Sequence, residues 1–528
     1  MDLSITYQVS LRLRIAVATF LAVAALLLAV HGNRIVATND EGILLDAAQR
    51  IAAGERPYVD FWAYMSPGSY WLQAVVFRLF GVSLIAGRLI VIFDFSLQCA
   101  LVFWLTSRLA SSRTALAVTL AFLGFQIADP AFLTAQHRWD SSTFALAGLA
   151  IAVAASSRAA WIAGGAILAA AAWCTPTVGL VLVVVALWLA LQPARRQALV
   201  PLMAGAAIVF AGGAGWLAAQ GSLVPLIHQI LWLKQNYLVN AMPYGAIIGG
   251  YRALFEGLSG NLELAIRVLL VGCVALPAIL PPLALLGWGL MFWRKEVPAE
   301  RSSIAVLLLA AAGALILALS PRADVMHLAF VAALPYVLAG AALSKLIPVR
   351  VRGPLALSAV LMATVFASNS FHTLQTMSLV PSPAGNLRVD NVRRPAMERL
   401  FTTVRPGESL FVYPYMPIYY FLTQGRNPTK YSFFSPGMAT EREASAALMA
   451  LEANPPKWIL FGRISREEFL RVVPKGASAQ WKYEALEDWL QKNYVPLENA
   501  DVVSPGYELR RRADSVPGGG ISVSRAQP

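Results

Sequence analysis

The sequence predicts a polytopic all-α membrane protein of about eleven transmembrane helices, followed by a C-terminal extracytoplasmic α/β domain. Three observations lead there. Of 528 residues, 58% are hydrophobic and only 13% are charged, against roughly a quarter charged in soluble domains, and the mean hydropathy is +0.60. The apolar residues gather in runs too long for barrel strands, and lipid obliges such runs to satisfy their own backbone as helices. From about residue 373 the sequence turns polar and holds no further run of that length.

The net charge of +13 does not point to nucleic acid, because the basic residues fall in short clusters between apolar runs. That is the pattern of membrane topology. The three cysteines, Cys99, Cys174 and Cys273, all lie within apolar segments, so neither a disulfide framework nor a zinc site can be built from them.

Taken in order, Arg12 and Arg14 precede the first run, Ile15 to Val30. Without a small-x-small cleavage site this reads as an uncleaved span with its amino terminus in the cytoplasm. Residues 32–85 then form an outer loop, whose apolar stretch Tyr70 to Phe80 is about half the ~20 residues a span needs and is expected to lie along the membrane. Spans near 86–106 and 114–128 place Arg108 and Arg113 inside and return the loop 129–140 to the side of Asp40. Spans near 141–156, 159–174, 176–192 and 198–219 keep Arg158, Arg195 and Arg196 inside, with Pro176 making a sharp outer turn. The mixed segment 220–262 contains His228, Lys234 and Asn236 and is expected on the outer surface as an amphipathic helix. Spans near 264–292, 303–319, 327–344 and 354–370 complete eleven, with an outer loop at 320–327. The membrane module is thus 1–372. Residues 373–513 form the outer α/β domain, with strand-like Ser409 to Tyr413 and Trp458 to Phe461 and helix-like Glu441 to Glu452 and Glu467 to Val472, and 514–528 form a disordered tail.

Polar residues that invite chemistry collect at the outer surface. Asp40 and Glu41 stand immediately after the first span, Gln136-His137-Arg138-Trp139-Asp140 opens the fourth, and Arg322-Ala323-Asp324-Val325-Met326-His327 joins spans nine and ten. The cations there either anchor span ends at the headgroups or bind an anion. Asp94, expected inside the second span, is either functional or a neutral, hydrogen-bonded group between helices. Tyr415, Tyr419 and Tyr420 either stack on sugar rings or belong to the core of the outer domain.

The order of motifs in the first outer loop resembles that of GT-C glycosyltransferases of the protein O-mannosyltransferase and aminoarabinose transferase type. The matching pieces are Asp40-Glu41, Gly54-Glu55-Arg56-Pro57-Tyr58-Val59-Asp60, Ser66-Pro67-Gly68, and Phe80-Gly81-Val82-Ser83 followed by Arg88. The resemblance implies transfer of a sugar from a polyprenyl-phosphate carrier to a glycan, lipid or protein acceptor, with inversion, at the extracytoplasmic face of a bacterial inner membrane. By the match, Asp40 is the catalytic base, with Glu41 and Asp140 as further catalytic candidates. Arg138, His137, Arg322 and His327 are candidates for holding the donor phosphate, and Tyr58 and Asp60 for binding sugar or acceptor. No cofactor is obligatory, and two outer carboxylates leave room for a divalent metal. Where many relatives carry a lysine after the fifth span, this chain has Cys174-Thr175-Pro176-Thr177. Two other readings compete: a polymerase or ligase using a pyrophosphate-linked oligosaccharide, and a lipid or sugar transporter, which calls for two similar halves with broken helices at mid-membrane.

Overall fold

The computed structural model describes residues 3–36, 39–244, 260–435, 438–463, 465–467, 470, 482–497 and 506–513, with backbone alone for 3–10, 39, 261–274 and 299–300. The tail 514–528, the stretch 245–259 of the outer segment and most of the helix-like run Glu467 to Val472 lie outside the described residues.

A helix stands at each of the eleven expected spans. They are α1 (Leu3–His31), α4 (Leu84–Leu109), α5 (Ser112–Ala128), α6 (His137–Ala154), α7 (Arg158–Cys174), α8 (Leu180–Ala190), α9 (Leu199–Ala219), α11 (Asn261–Trp293), α12 (Ala299–Leu317), the pair α13 (Val325–Val331) and α14 (Ala333–Leu346), and α15 (Val349–Gln375). Five stretches among the described residues are each long and apolar enough to cross a bilayer, and four shorter apolar helices stand with them. The protein is an integral membrane protein. Two further helices, α2 (Asn39–Ala52) and α3 (Pro67–Phe80), lie between α1 and α4, in the loop expected on the outer side, and α10 (Leu223–Asn236) follows α9.

Local chemistry sets the helix ends and breaks. Ser83, Ser111 and Ser157 cap α4, α5 and α7, each accepting from the backbone N–H three residues on. The tenth expected span is bent by 71° between α13 and α14, because Pro335 cannot donate to the Val331 carbonyl one turn back. In α11, Pro282 likewise leaves the Ala278 carbonyl without its helical partner, and the Tyr244 hydroxyl donates to it instead.

The polar C-terminal part begins with an antiparallel hairpin, β1 (Met377–Ser382) and β2 (Gly385–Asp390), and α16 (Arg394–Thr403). A four-stranded mixed sheet follows, in the order β3-β4-β6-β5. Its strands are β3 (Leu410–Tyr413), β4 (Trp458–Gly462), β5 (Tyr494–Pro496) and β6 (Tyr507–Arg512), with β3 and β4 parallel and joined through α17 (Ile418–Thr423) and α18 (Glu441–Ala453). The last helix, α19 (Glu484–Asn493), runs into β5.

This domain and the first outer loop share one core, in which Leu44, Leu45 and Phe77 of the loop pack with Tyr419, Phe421 and Leu410. Backbone bonds stitch them together: Ile35 N–H to the Arg388 carbonyl at 3.0 Å, Trp62 N–H to Lys430 at 2.8 Å, and Leu84 N–H to Ala384 at 2.9 Å. At Gly42 the two parts come so close that a Cβ would lie 2.2 Å from the Ile418 nitrogen. No side chain fits there, so α2 is seated backbone to backbone on α17. The loop therefore belongs mechanically to the outer domain, and that domain holds the helix bearing Asp40.

Candidate active site

Asp40 and Glu41 occupy the first turn of α2, where the helix dipole favours negative charge. Successive residues on a helix point about 100° apart, so the two neighbours serve different surroundings. Asp40 is half-buried on the wall of a cavity of about 640 Å³. Glu41 turns inward to 1% exposure.

Glu41 forms a two-pronged ion pair with Arg88 of α4, Nε to Oε1 at 2.5 Å and Nη2 to Oε2 at 2.8 Å. It also accepts from the Ala135 N–H at 3.1 Å, while Arg88 Nη1 donates to the His31 carbonyl at 3.0 Å and lies 2.5 Å from His31 Nε2. An arginine only donates, so His31 Nε2 is the unprotonated acceptor. One buried clip thus ties together the end of α1, the start of α2, the start of α4 and the loop before α6. Its geometry fixes the direction in which Asp40 points.

The cavity collects side chains from segments far apart in sequence. His137 and Arg138 of α6, Arg322 and Asp324 of the α12–α13 loop, His327 of α13, and Lys234 of α10 line it together with Asp40. Asp324 organises its own neighbours: it caps α13, accepting from His327 N–H at 2.9 Å, lies 2.6 Å from His327 Nδ1, and accepts from Arg322 Nε at 2.6 Å. Burial acts to raise the Asp324 carboxyl, but the His327 hydrogen bonds and charge, with Arg322, hold it well below the usual carboxylate range. The segment after α10 clamps this loop, with Met242 N–H donating to Pro321 at 3.0 Å and Ala323 N–H donating back to Met242 at 2.8 Å.

His137 is held by the turn at Cys174-Thr175, with Nδ1 at 2.8 Å from Thr175 Oγ1 and 3.2 Å from the Cys174 carbonyl. Arg138 is half-buried, and among the described residues its guanidinium has no hydrogen bond or salt bridge. Burial raises the Asp40 carboxyl, His327, Arg138 and Arg322 pull it back, and Asp324 adds to the rise, leaving it above its ordinary value. A carboxylate of raised basicity facing a cavity rich in cations is suited to taking a proton close to an anion.

Asp140, Tyr58 and Asp60 stand elsewhere. Asp140 is 3% exposed, does not line the cavity and lies beside Asp94 of α4. The Tyr58 hydroxyl donates to the Met65 carbonyl at 2.7 Å, which holds the loop in shape. Asp60 accepts from the Arg56 side chain and backbone, at 2.9, 3.0 and 2.7 Å. Local partners four and seven residues away claim both groups, so neither lines the cavity.

Sequence reasoning missed Lys234, Tyr64, Tyr237 and Phe433, all of which line it. A signal for the first existed: Ile230, Leu233, Lys234 and Tyr237 fall at i, i+3, i+4 and i+7 and so share one helix face. The aromatic wall draws Tyr64 from the first loop, Tyr237 from the turn after α10, and Tyr415 and Phe433 from the outer domain, with Tyr64 at 5.9 Å from Tyr237 and 6.0 Å from Phe433 between ring centres. Tyr419 and Tyr420 are buried core. Among the described residues no three His, Cys, Asp or Glu side chains are arranged to hold a metal ion.

A third carboxylate on α2 bears on stability. Asp46 is buried against the outer domain, accepting from Ser432 Oγ at 2.6 Å, and burial, opposed by Arg50, raises it to about 6. A carboxyl raised on folding binds its proton more tightly in the native state, so stability falls as pH climbs from about 4 to 6. The penalty at neutral pH is about 3 kcal/mol. Asp46→Asn is expected to flatten this dependence and raise the melting temperature at pH 7, read by thermal unfolding of the detergent-solubilised protein between pH 4 and 8. An unchanged slope would show that Asp46 is not the group responsible.

No protein-family model and no curated protein matches the sequence. Solved structures do match. ArnT from Cupriavidus metallidurans, bound to undecaprenyl phosphate, superposes with a TM-score of 0.52 at 13% identity over 98% of this chain and 100% of that chain. The apo state of the same enzyme gives 0.53 at 13% identity with the same coverage. The Archaeoglobus fulgidus oligosaccharyltransferase, in complex with Zn and sulfate, gives 0.49 at 12% identity over 94% of this chain and 74% of that one. Over 98% of its length this chain has the membrane fold of the ArnT structures.

Proposed function

We propose that this protein is an inverting glycosyltransferase that moves a sugar from a polyprenyl-phosphate carrier to an acceptor hydroxyl at the extracytoplasmic face of a bacterial inner membrane. In this reading the amino terminus is cytoplasmic and the outer domain periplasmic. The observation that carries it is the single cavity in which Asp40 meets Arg138, Arg322 and Lys234. Three cations against the carboxylates of Asp40 and Asp324 leave the site short of negative charge, and a lipid phosphate supplies it.

The step balances within this set. The acceptor oxygen attacks the anomeric carbon and its proton passes to Asp40, while the bond from that carbon to the phosphate oxygen breaks and the electron pair leaves with the polyprenyl phosphate. Arg138, Lys234 and Arg322 take up the charge that grows on the leaving group, with His137 and His327 beside them. A single displacement inverts the anomeric centre. Glu41 aims Asp40 rather than reacting, Asp140 is buried in the first turn of the helix that carries His137 and Arg138, and Tyr58 and Asp60 shape the loop. Lys234 takes the place of the lysine absent at Cys174-Thr175. That an ArnT of this fold was crystallised with undecaprenyl phosphate supports the donor class.

The test is sugar release by the purified protein in lipid from a panel of polyprenyl-phosphate sugars, beside a pyrophosphate-linked oligosaccharide. Turnover of one monophosphate donor is expected. Reaction with the pyrophosphate donor alone would favour a polymerase or ligase. Passage of lipid or sugar across liposomes without turnover would make the protein a transporter.

A further inference from the structure

The outer domain holds a second cavity that the transfer step does not use. It measures about 290 Å³ and lies where β3 and β4 end, lined by Tyr413, Pro414, Gly462, Arg463, Lys482, Glu487 and Gln491. The two strands are parallel, with Tyr413 beside Phe461, so both chains leave the sheet at this edge. The crevice outside the carboxyl ends of parallel strands is where open α/β sheets bind ligands.

The lining has a definite chemistry. Glu487 and Gln491 are four apart on α19 and present one face, with Gln491 Nε2 donating to Glu487 Oε1 at 3.2 Å and the Gln491 carbonyl oxygen left to accept from a hydroxyl group. The Tyr413 hydroxyl lies 3.5 Å from Glu487 Oε2, and Lys482 Nζ lies 3.9 Å from Glu487 Oε1. Among the described residues the Arg463 guanidinium makes no hydrogen bond or salt bridge, and an arginine fork matches the two oxygens of a carboxylate or phosphate. The volume lies at the lower edge of small-molecule pockets, which suits one sugar unit and not a lipid or a nucleotide.

Position relates this cleft to the catalytic cavity. Tyr413 and Pro414 line the cleft, and the next residue, Tyr415, lines the cavity that contains Asp40. Consecutive Cα atoms are about 3.8 Å apart, so the two spaces are separated by one short stretch of chain. We infer that the cleft at the ends of β3 and β4 is an outer acceptor subsite, which holds an acidic sugar unit of a glycan whose reacting hydroxyl lies at Asp40. The inference rests on the glycosyltransferase reading for its purpose but not for its test.

The experiment is saturation-transfer NMR on the full-length protein in nanodiscs with glucuronate, glucose 6-phosphate, glucose and inorganic phosphate as separate probes. Glucuronate or glucose 6-phosphate is expected to bind, and the pair Arg463→Ala/Lys482→Ala to weaken that binding at least about tenfold, the loss of a hydrogen bond to a charged group. Which of the two acids binds tells a uronic acid from a phosphosugar. Because both cations are exposed, misfolding is checked by an unchanged melting temperature, and Gln491→Ala provides a second variant that weakens binding without altering charge. The inference is overturned if neither acidic sugar binds, if glucose or inorganic phosphate binds as well, or if Arg463, Lys482 and Gln491 can all be removed without effect. It is overturned equally if Asp40→Asn abolishes the signal, since the sugar would then sit in the catalytic cavity. Binding needs no turnover, so failure of the donor panel leaves this result readable.

Discussion

Asp40→Asn is expected to lower kcat for sugar transfer by about 10²- to 10⁴-fold, the usual contribution of a positioned base, while leaving the fold intact. The amide has the shape of the carboxylate and keeps its polarity, but it cannot take the acceptor proton. Because the carboxylate shares the cavity with Arg138, Arg322 and Lys234, its neutralisation leaves those cations less compensated. Donor KM should therefore stay level or fall as kcat collapses, a split that an unfolded or misdocked protein would not give. The wild-type pH profile offers an independent check. The base works only when ionised, and its pKa is raised by burial, so the rate should climb with pH along an acid limb centred above the ordinary carboxylate range. Asp40→Asn should abolish that limb in whatever activity remains. A variant that keeps transfer within a few-fold of wild type would remove Asp40 from the mechanism.

The second large effect is structural and reaches the chemistry indirectly. Arg88→Met leaves Glu41, 1% exposed, as a buried carboxylate without its cation, and breaking such a pair from one side costs about 3–5 kcal/mol. A sharp drop in melting temperature is expected, together with loss of transfer, because the clip that sets the start of α2 is gone. Removing both charges is different. Glu41→Met/Arg88→Met buries apolar side chains of similar length, and such replacements are often close to neutral. The double variant is expected to recover most of the stability, short of about 1 kcal/mol for the Ala135 N–H that loses its acceptor. Activity should recover less than stability, since α2 would be seated but Asp40 less firmly aimed. If instead Arg88→Met is as stable as wild type, the pair is not buried as described. If the double variant restores neither, the cost lies in packing and not in the charge left behind.

Much of the architecture was legible because a bilayer imposes strict rules on sequence. The span length, the Lys/Arg clusters and the change of composition near residue 373 each carry a physical constraint that holds whatever the helices later pack against. Helices at all eleven expected positions follow from that, as do the strands at Leu410–Tyr413 and Trp458–Gly462 and the helix at Glu441–Ala453. The bend of 71° in the tenth span had a visible cause in Pro335, but its angle depends on how α13 and α14 rest on their neighbours.

The sequence by itself determined that this is a membrane protein with an acidic pair after its first apolar helix and cations in the loops between later ones. It did not determine which carboxylate faces the cavity. Asp40 and Glu41 are chemically near-equivalent and adjacent, and the choice falls to Arg88, 47 positions beyond Glu41 in the chain, which draws Glu41 inward. Lys234 was likewise only a polar residue on an amphipathic helix until α10 was laid against the loops carrying Asp40 and Arg322. Tyr58 and Asp60, inside the matched motif, went to partners within their own loop. A motif fixes which groups are available, whereas direction and company are set by contacts between segments whose separation in sequence no local pattern encodes.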